Sequence, residues 1–172
     1  MSAEYTIQQY LLDRANIQDT VSKITLYYDT ENASALADEC YAPGEVTIDY
    51  TSMFGASPWS AIGTMRPFDA KQHVLAGLVI EQLPQPAATA TVPDHCEVIT
   101  NVNGHIMRKA AATSESAAGG GRYEFELVRI KELEEAGENP WRVRRHKCIL
   151  TWSDGNNRVM EPLKDAPIVT RE

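Results

Sequence analysis

The stretch Asp69-Ala70-Lys71-Gln72-His73 runs without a break into Val74-Leu75-Ala76-Gly77-Leu78-Val79-Ile80, a polar entry followed by branched apolar residues. Branched side chains fit a pleated, covered surface, and the run is too short for a helix flanked in this way, so Val74 to Ile80 is predicted to be a buried strand. His73 then stands at the mouth of that strand. An imidazole in such a place is aimed by the backbone, partly desolvated and able to change charge near neutral pH, which makes it a candidate base. The remainder of the chain has to supply a cover for the strand and a partner for the ring.

Upstream, Ile7, Leu11 and Leu12 begin an apolar stripe that Ile17, Val21, Ile24 and Tyr28 continue at helical spacing, with Asp13 placed to cap a new helix and the stripe ending near Asp29-Thr30. Asn32 or Ser34 caps a short second helix that carries Leu36 and Cys40 inward, and Pro43-Gly44 closes it. Val46, Ile48 and Tyr50 alternate with Thr47, Asp49 and Thr51 as a first strand, and Pro58 opens a short third helix over Ser57 to Ile62.

Beyond the His73 strand, Leu83 to Pro86 is a turn, and Ala88 to Val102 supplies another strand with a bulge or an edge at Pro93. Asn103-Gly104 is predicted to be a tight hairpin turn and Ala110 to Gly121 a loop. Arg122 to Leu133 is a strand with Tyr123, Phe125 and Leu127 on one side. Gly137 and Pro140 then make a hairpin connection to a last strand, Trp141 to Trp152. Helices followed by a run of strands give an α+β class, three N-terminal helices against one face of a curved, mainly antiparallel sheet. Residues 1–160 form one domain and 161–172 a tail without periodicity.

The chain has 172 residues, 43% of them hydrophobic, enough for a single core. Its 16 Lys and Arg against 24 Asp and Glu give a net charge of −8, which argues against a nucleic-acid or anionic-membrane partner. The basic residues Arg142, Arg144, Arg145 and Lys147, with His146 among them, are read as a solvated face. Cys40, Cys96 and Cys148 lack the spacing of a disulfide framework or a zinc site, so a reducing compartment is expected. With no signal-peptide pattern at Met1 to Tyr5 and no long apolar run, the expected location is the cytoplasm.

Several segments together resemble the SnoaL-like polyketide cyclase and scytalone dehydratase group. These are Asp13-Arg14-Ala15-Asn16-Ile17-Gln18-Asp19, Tyr28-Asp29, Val46-Thr47-Ile48-Asp49-Tyr50-Thr51-Ser52, Asp69-Ala70-Lys71-Gln72-His73, Gly121-Arg122-Tyr123 with Leu127 and Arg129, and Trp141-Arg142-Val143. The resemblance implies the cone-shaped α+β barrel shared with ketosteroid isomerase and nuclear transport factor two. It matches Tyr28 and Asp29 to a tyrosine and aspartate that close the first helix of the dehydratases, Tyr50 to a strand tyrosine, and His73 to the histidine of a Gln-His pair. In those enzymes an Asp-His pair moves protons while two tyrosines polarise the substrate carbonyl. A second dehydratase histidine on the next strand has only His95 and His105 as counterparts here. Self-association as a dimer or trimer is also implied.

The chemistry stands on its own terms. Removing a proton α to a carbonyl needs a base near the working pH and donors where negative charge develops. His73 and Asp29 are the expected acid-base pair, and Tyr28 and Tyr50 the expected donors. Asp49, Tyr123, Phe125, His105 and Trp59 are candidate substrate contacts. With no HExxH and no Cys/His cluster, the site is expected to work without a metal or cofactor on a small-molecule substrate. Dehydration of a hydroxylated carbonyl compound is the leading reading, and cyclisation or isomerisation would use the same parts. A ligand-binding or assembly module is the competing class, in which Tyr28 and Tyr50 serve only as packing.

Overall fold

A computed structural model describes residues 4–50, 52, 68–87, 90–111 and 113–160. The expected helix at Ser57 to Ile62, Trp59 and the tail lie outside the described residues. A long helix α1 (Ile7–Asp29) leads into a single turn α2 (Ala33–Ala35) and a π-helical segment Leu36–Cys40. Five strands follow: β1 (Thr47–Asp49), β2 (Ala70–Glu81), β3 (His95–Met107), β4 (Ser116–Arg129) and β5 (Trp141–Gly155). They form one curved sheet in the order β1-β5-β4-β3-β2, with β1 parallel to β5 and every other pairing antiparallel. The class is α+β, as expected, with α1 laid across the concave face. Among the described residues no helix is long and apolar enough to cross a membrane.

Thr6 caps α1 by accepting from the Gln9 amide at 3.2 Å. The inward stripe runs Asp13, Ile17, Val21 and Ile24, with Thr20 and Thr25 beside it. Ile7, Leu11 and Leu12 are more than half exposed. Asp13 therefore caps nothing; it lies inside one continuous helix, on its buried face. Its carboxylate accepts from Tyr5 Oη at 2.9 Å, Trp141 Nε1 at 3.0 Å and Arg129 Nη2 at 2.5 Å. The Arg129 guanidinium also lies 4.7 Å from the Trp141 ring centroid. A buried carboxylate is tolerable only with such complete pairing, and here it locks the start of α1 to the ends of β4 and β5. Burial, then the hydrogen bond to Asp13, pushes the Tyr5 hydroxyl well above its ordinary pKa.

Five local expectations change, one of them the connection after β4, where the strand ends at Arg129 instead of Leu133 and Lys131–Glu135 is a short helix α3. β2 is an edge strand with Val74 and Val79 about half exposed, so the apolar run is covered on one face only. Asn103 and Gly104 lie inside β3, paired to both neighbours, because β3 continues to Met107 before the chain turns. The strand also starts at His95, leaving Pro93 outside it, where its carbonyl accepts from Arg129 Nε at 2.8 Å. The Gly-rich stretch Gly119 to Gly121 belongs to β4. A side chain at Gly121 would collide with the β5 backbone, at 1.9 Å from the Ile149 carbonyl oxygen, so these glycines permit strand contact where a loop was expected.

The basic run is not a uniform solvated face. Where Glu126 and Leu127 of β4 pair with Arg145 and Val143, Arg144 is left over as a bulge. Alternation resets there, so Arg144 and Arg145 are both exposed while Val143 and His146 both turn inward. Arg142 is buried as well, its Nη1 donating to the carbonyls of Asn139 at 2.8 Å and Trp141 at 2.9 Å.

Replacing Asp13 by Ala leaves the Arg129 guanidinium short of a buried partner. Urea unfolding is expected to show a loss of about 3 kcal/mol or more, against about 0.5 kcal/mol for the exposed Leu12→Ala. Equal losses for the two variants would contradict the anchoring role of Asp13.

Candidate active site

α1 ends at Asp29, and β2 passes beside that end with Lys71, His73 and Leu75 on its inner face. One Asp29 carboxylate oxygen accepts from the His73 backbone N–H at 2.6 Å, and the other lies 2.7 Å from His73 Nδ1. An ionised carboxylate only accepts, so the Nδ1 atom carries the proton and the Nε2 atom is left as the basic nitrogen. Among the described residues Nε2 makes no hydrogen bond. The two side chains are 11% and 16% exposed, sheltered yet reachable. A carboxylate at a helix C-terminus is electrostatically misplaced, and the two His73 donors compensate it.

His73 pairs across the sheet with Gly104 of β3. A Cβ at that position would stand 3.2 Å from both Cδ2 and Nε2 of the imidazole, so glycine leaves room for the ring. The Tyr28 ring meets His73 edge-on at 5.2 Å. Burial, then the Asp29 charge, holds the Tyr28 hydroxyl protonated far above the usual range. Burial does the same for Tyr50 and Tyr123. All three are neutral hydroxyls capable of donating. An open cleft of about 590 Å³, lined by Thr25, Leu26 and Asp29 of α1, by Thr30 that follows it and by Lys71, Gln72 and His73 of β2, reaches the pair from the rim of the sheet.

Of the other sequence candidates, Tyr50 packs on the core and its ring lies 6.0 Å from that of His146. Tyr123 and Phe125 meet at 5.8 Å on the inner face, with Phe125 buried. Asp49 sits opposite Lys147 on the face away from Ile48. His105 is exposed on the outer face of β3, because Val102, Gly104 and Ile106 take the inner positions; its expected place beside the substrate is corrected accordingly. His95 is exposed too and pairs with Asp94 at 2.7 Å, so β3 carries no inward histidine.

Sequence reasoning missed Lys71. Its ammonium is almost wholly buried, 3.2 Å from Glu31 and 5.0 Å from the Tyr28 ring centroid, and period-two spacing from His73 was the available signal. It also missed the surroundings of His146. That ring is buried, with Nδ1 at 3.0 Å from the Tyr41 hydroxyl and Nε2 at 3.3 Å from Cys148 Sγ. Burial, then the charge of His73, depresses its pKa to about 3. Among the described residues no group of three His, Cys, Asp or Glu is arranged to hold a metal ion, and the three cysteines form no disulfide.

Residues 9–147 match the family model described as a SnoaL-like domain. The chain belongs to the SnoaL-like family. Solved structures agree on the fold. A Kribbella flavida protein superposes with a TM-score of 0.68 at 19% identity, covering 86% of this chain and 96% of the other. A hexachlorocyclohexane dehydrochlorinase, LinA type 3 of Novosphingobium barchaimii, gives 0.63 at 15% identity, with coverage of 84% and 90%. A scytalone dehydratase-like protein of Novosphingobium aromaticivorans gives 0.62 at 16%, with coverage of 84% and 87%. No curated protein sequence matches. Within this SnoaL-like domain the second histidine of the dehydratase resemblance has no inward counterpart on β3, where Gly104 faces His73.

Two measurements test these environments. Gly104→Ala should move the ring N–H proton resonance of His73 while changing stability by no more than about 1 kcal/mol; an unmoved resonance would mean that the ring does not depend on that gap. His146 binds a proton at its ordinary pKa of 6.5 when unfolded but only near pH 3 when folded. The unfolded state therefore takes up more protons across that window, and stability falls as pH drops, by about 1.4 kcal/mol per unit. His146→Phe should lack this share of the slope between pH 6 and pH 4, on the order of the span just given. Parallel slopes for both proteins would rule it out.

Proposed function

We propose that this SnoaL-like protein is a cofactor-independent lyase that dehydrates a hydroxylated carbonyl compound, such as a polyketide-derived small molecule. The observation that carries this reading is the double hydrogen bond from Asp29 to His73, at 2.6 and 2.7 Å, which fixes the ring and leaves Nε2 as the basic nitrogen. His73 Nε2 removes the proton α to the carbonyl, and the electron pair of that C–H bond enters the enolate. Tyr28 and Tyr50, both kept protonated by burial, supply hydrogen-bond donors for the enolate oxygen. Asp29 stabilises the imidazolium that forms. When the enolate collapses, the new C=C bond forms as the β C–O bond breaks, and the proton on Nε2 leaves with the hydroxyl as water.

His95 and His105 face outward, so His73 both takes the proton and returns it, which suits departure of the proton and hydroxyl from the same face. The fold likeness to a dehydrochlorinase and to a scytalone dehydratase-like protein is consistent with elimination chemistry. Isomerisation or cyclisation would use the same first step with a different fate for the enolate.

The test is a panel of β-hydroxy ketones and aromatic polyketide fragments in D₂O, followed by NMR for α-proton exchange and for loss of water. His73→Ala should abolish both, and Asp29→Asn should slow both by about 10²- to 10⁴-fold with the fold intact. Full turnover by His73→Ala would overturn the mechanism.

A further inference from the structure

The proposed chemistry leaves one inward phenol without a task. Tyr123 stands on the inner face of β4, its ring edge-on to His146 at 4.7 Å and to Phe125 at 5.8 Å. Tyr28 is gripped in the same way, edge-on to His73 at 5.2 Å and with the Lys71 ammonium 5.0 Å from its ring centroid. A ring packed on two sides is aimed, so each hydroxyl has a set direction.

The two hydroxyls share a second property. Among the described residues neither Tyr28 Oη nor Tyr123 Oη makes a hydrogen bond, and neither does His73 Nε2. Among the same residues no side-chain nitrogen or oxygen sealed from solvent lacks a hydrogen-bond partner. All three atoms therefore open on space that a water-sized group can reach. Tyr50 differs, because its hydroxyl is a hydrogen-bond partner of Cys148. A bonded hydroxyl has to give up that bond to serve a ligand, whereas an unbonded one gives up nothing within the protein.

Strand register clears the way between base and phenol. His73 pairs with Gly104 of β3, Gly104 pairs with Gly119 of β4, and the next inner positions along β4 are Gly121 and then Tyr123. On β4, two successive inner positions without side chains thus lead from the base to the phenol. Burial, then Cys148, Tyr28, Tyr41 and Asp29 in turn, raises the Tyr123 pKa well above its ordinary value. Its hydroxyl is within electrostatic reach of Tyr28 and of the carboxylate that holds the base.

We infer that Tyr28 and Tyr123 form a two-donor site for a single oxyanion beside His73 Nε2, with Tyr123 as a further catalytic residue. The ligand class is a compound whose enolate or phenolate oxygen fits between one phenol from α1 and another from β4. Both phenols stay protonated there. A hydrogen bond to an oxyanion is stronger than one to a neutral carbonyl, so the pair favours the enolate over the ketone that precedes it. That the oxyanion is an enolate rests on the proposed lyase reading; that the two hydroxyls bind an oxyanion does not.

Binding of 4-nitrophenolate, read by absorbance, tests the site without turnover. The parent should bind it more tightly than nitrobenzene, which lacks the oxyanion. Tyr123→Phe should weaken the phenolate by about tenfold or more, the size of one hydrogen bond to a charged group, and leave nitrobenzene within about twofold. Tyr50→Phe should cost the phenolate less than Tyr123→Phe does. Thermal unfolding should find Tyr123→Phe at least as stable as the parent, since the hydroxyl it loses has no partner in the protein. A parent without preference for the phenolate, equal losses of the two probes in Tyr123→Phe, a larger phenolate loss in Tyr50→Phe, or a destabilised Tyr123→Phe would each overturn the site. An active His73→Ala variant would remove the lyase mechanism and leave the phenolate result unchanged, whereas loss of the phenolate preference would remove the site and leave the base standing.

Discussion

The Asp29 carboxylate is the constraint on which the site depends. It spans from the end of α1 to the edge strand and is held by the backbone and the ring of the same residue, at 2.6 and 2.7 Å. A ring bonded through one nitrogen alone can still pivot; the second bond fixes where the ring begins. Orientation and tautomer are then settled before any ligand arrives, which is what gives preorganised electrostatics their advantage. The misplaced charge at the helix C-terminus becomes the feature that joins helix, strand and base.

The same helix carries a second buried carboxylate with a different purpose. Asp13 is completely enclosed and ties Tyr5, Arg129 and Trp141 together at the other end of the cone. Asp29 remains partly exposed beside an open cleft. One carboxylate is saturated with donors and structural, while the other is bonded to a single residue that can exchange a proton. The two inward histidines divide likewise. His73 sits against a carboxylate at the rim, and His146 sits uncharged among Tyr41, Tyr123, Phe125 and Cys148.

Register breaks aim these side chains. A bulge near Gly77, whose φ is 68°, lets β2 turn its inner face from His73 and Leu75 to Leu78 and Ile80. The left-over Arg144 does the same on β5. Were Arg144 paired in regular alternation instead of bulged, Val143 and His146 would face opposite sides of the sheet, and the polar row behind the site would not exist. Bulges of this kind bend a strand and redirect a side chain while leaving most of its ladder bonds in place.

The helical stripe Ile17, Val21, Ile24 and the alternation of Tyr123, Phe125 and Leu127 were legible because each is a local period that burial enforces. The Tyr28-Asp29 and Gln72-His73 pairs were legible through the family resemblance. Lys71, Tyr41, His146 and Cys148 were not, because their meeting depends on strand order and on where a bulge falls. Asn103-Gly104 misled for a related reason: a favourable turn dipeptide yields to a strand when neighbours on both sides supply ladder bonds. The sequence by itself determined the α+β class, since period is a local property, and it offered the two groups of the proposed acid-base pair through the family resemblance. Only the tertiary structure decided which histidines point inward, which carboxylate is structural and which glycine makes room for the base, because these follow from register and contact between segments distant in the chain.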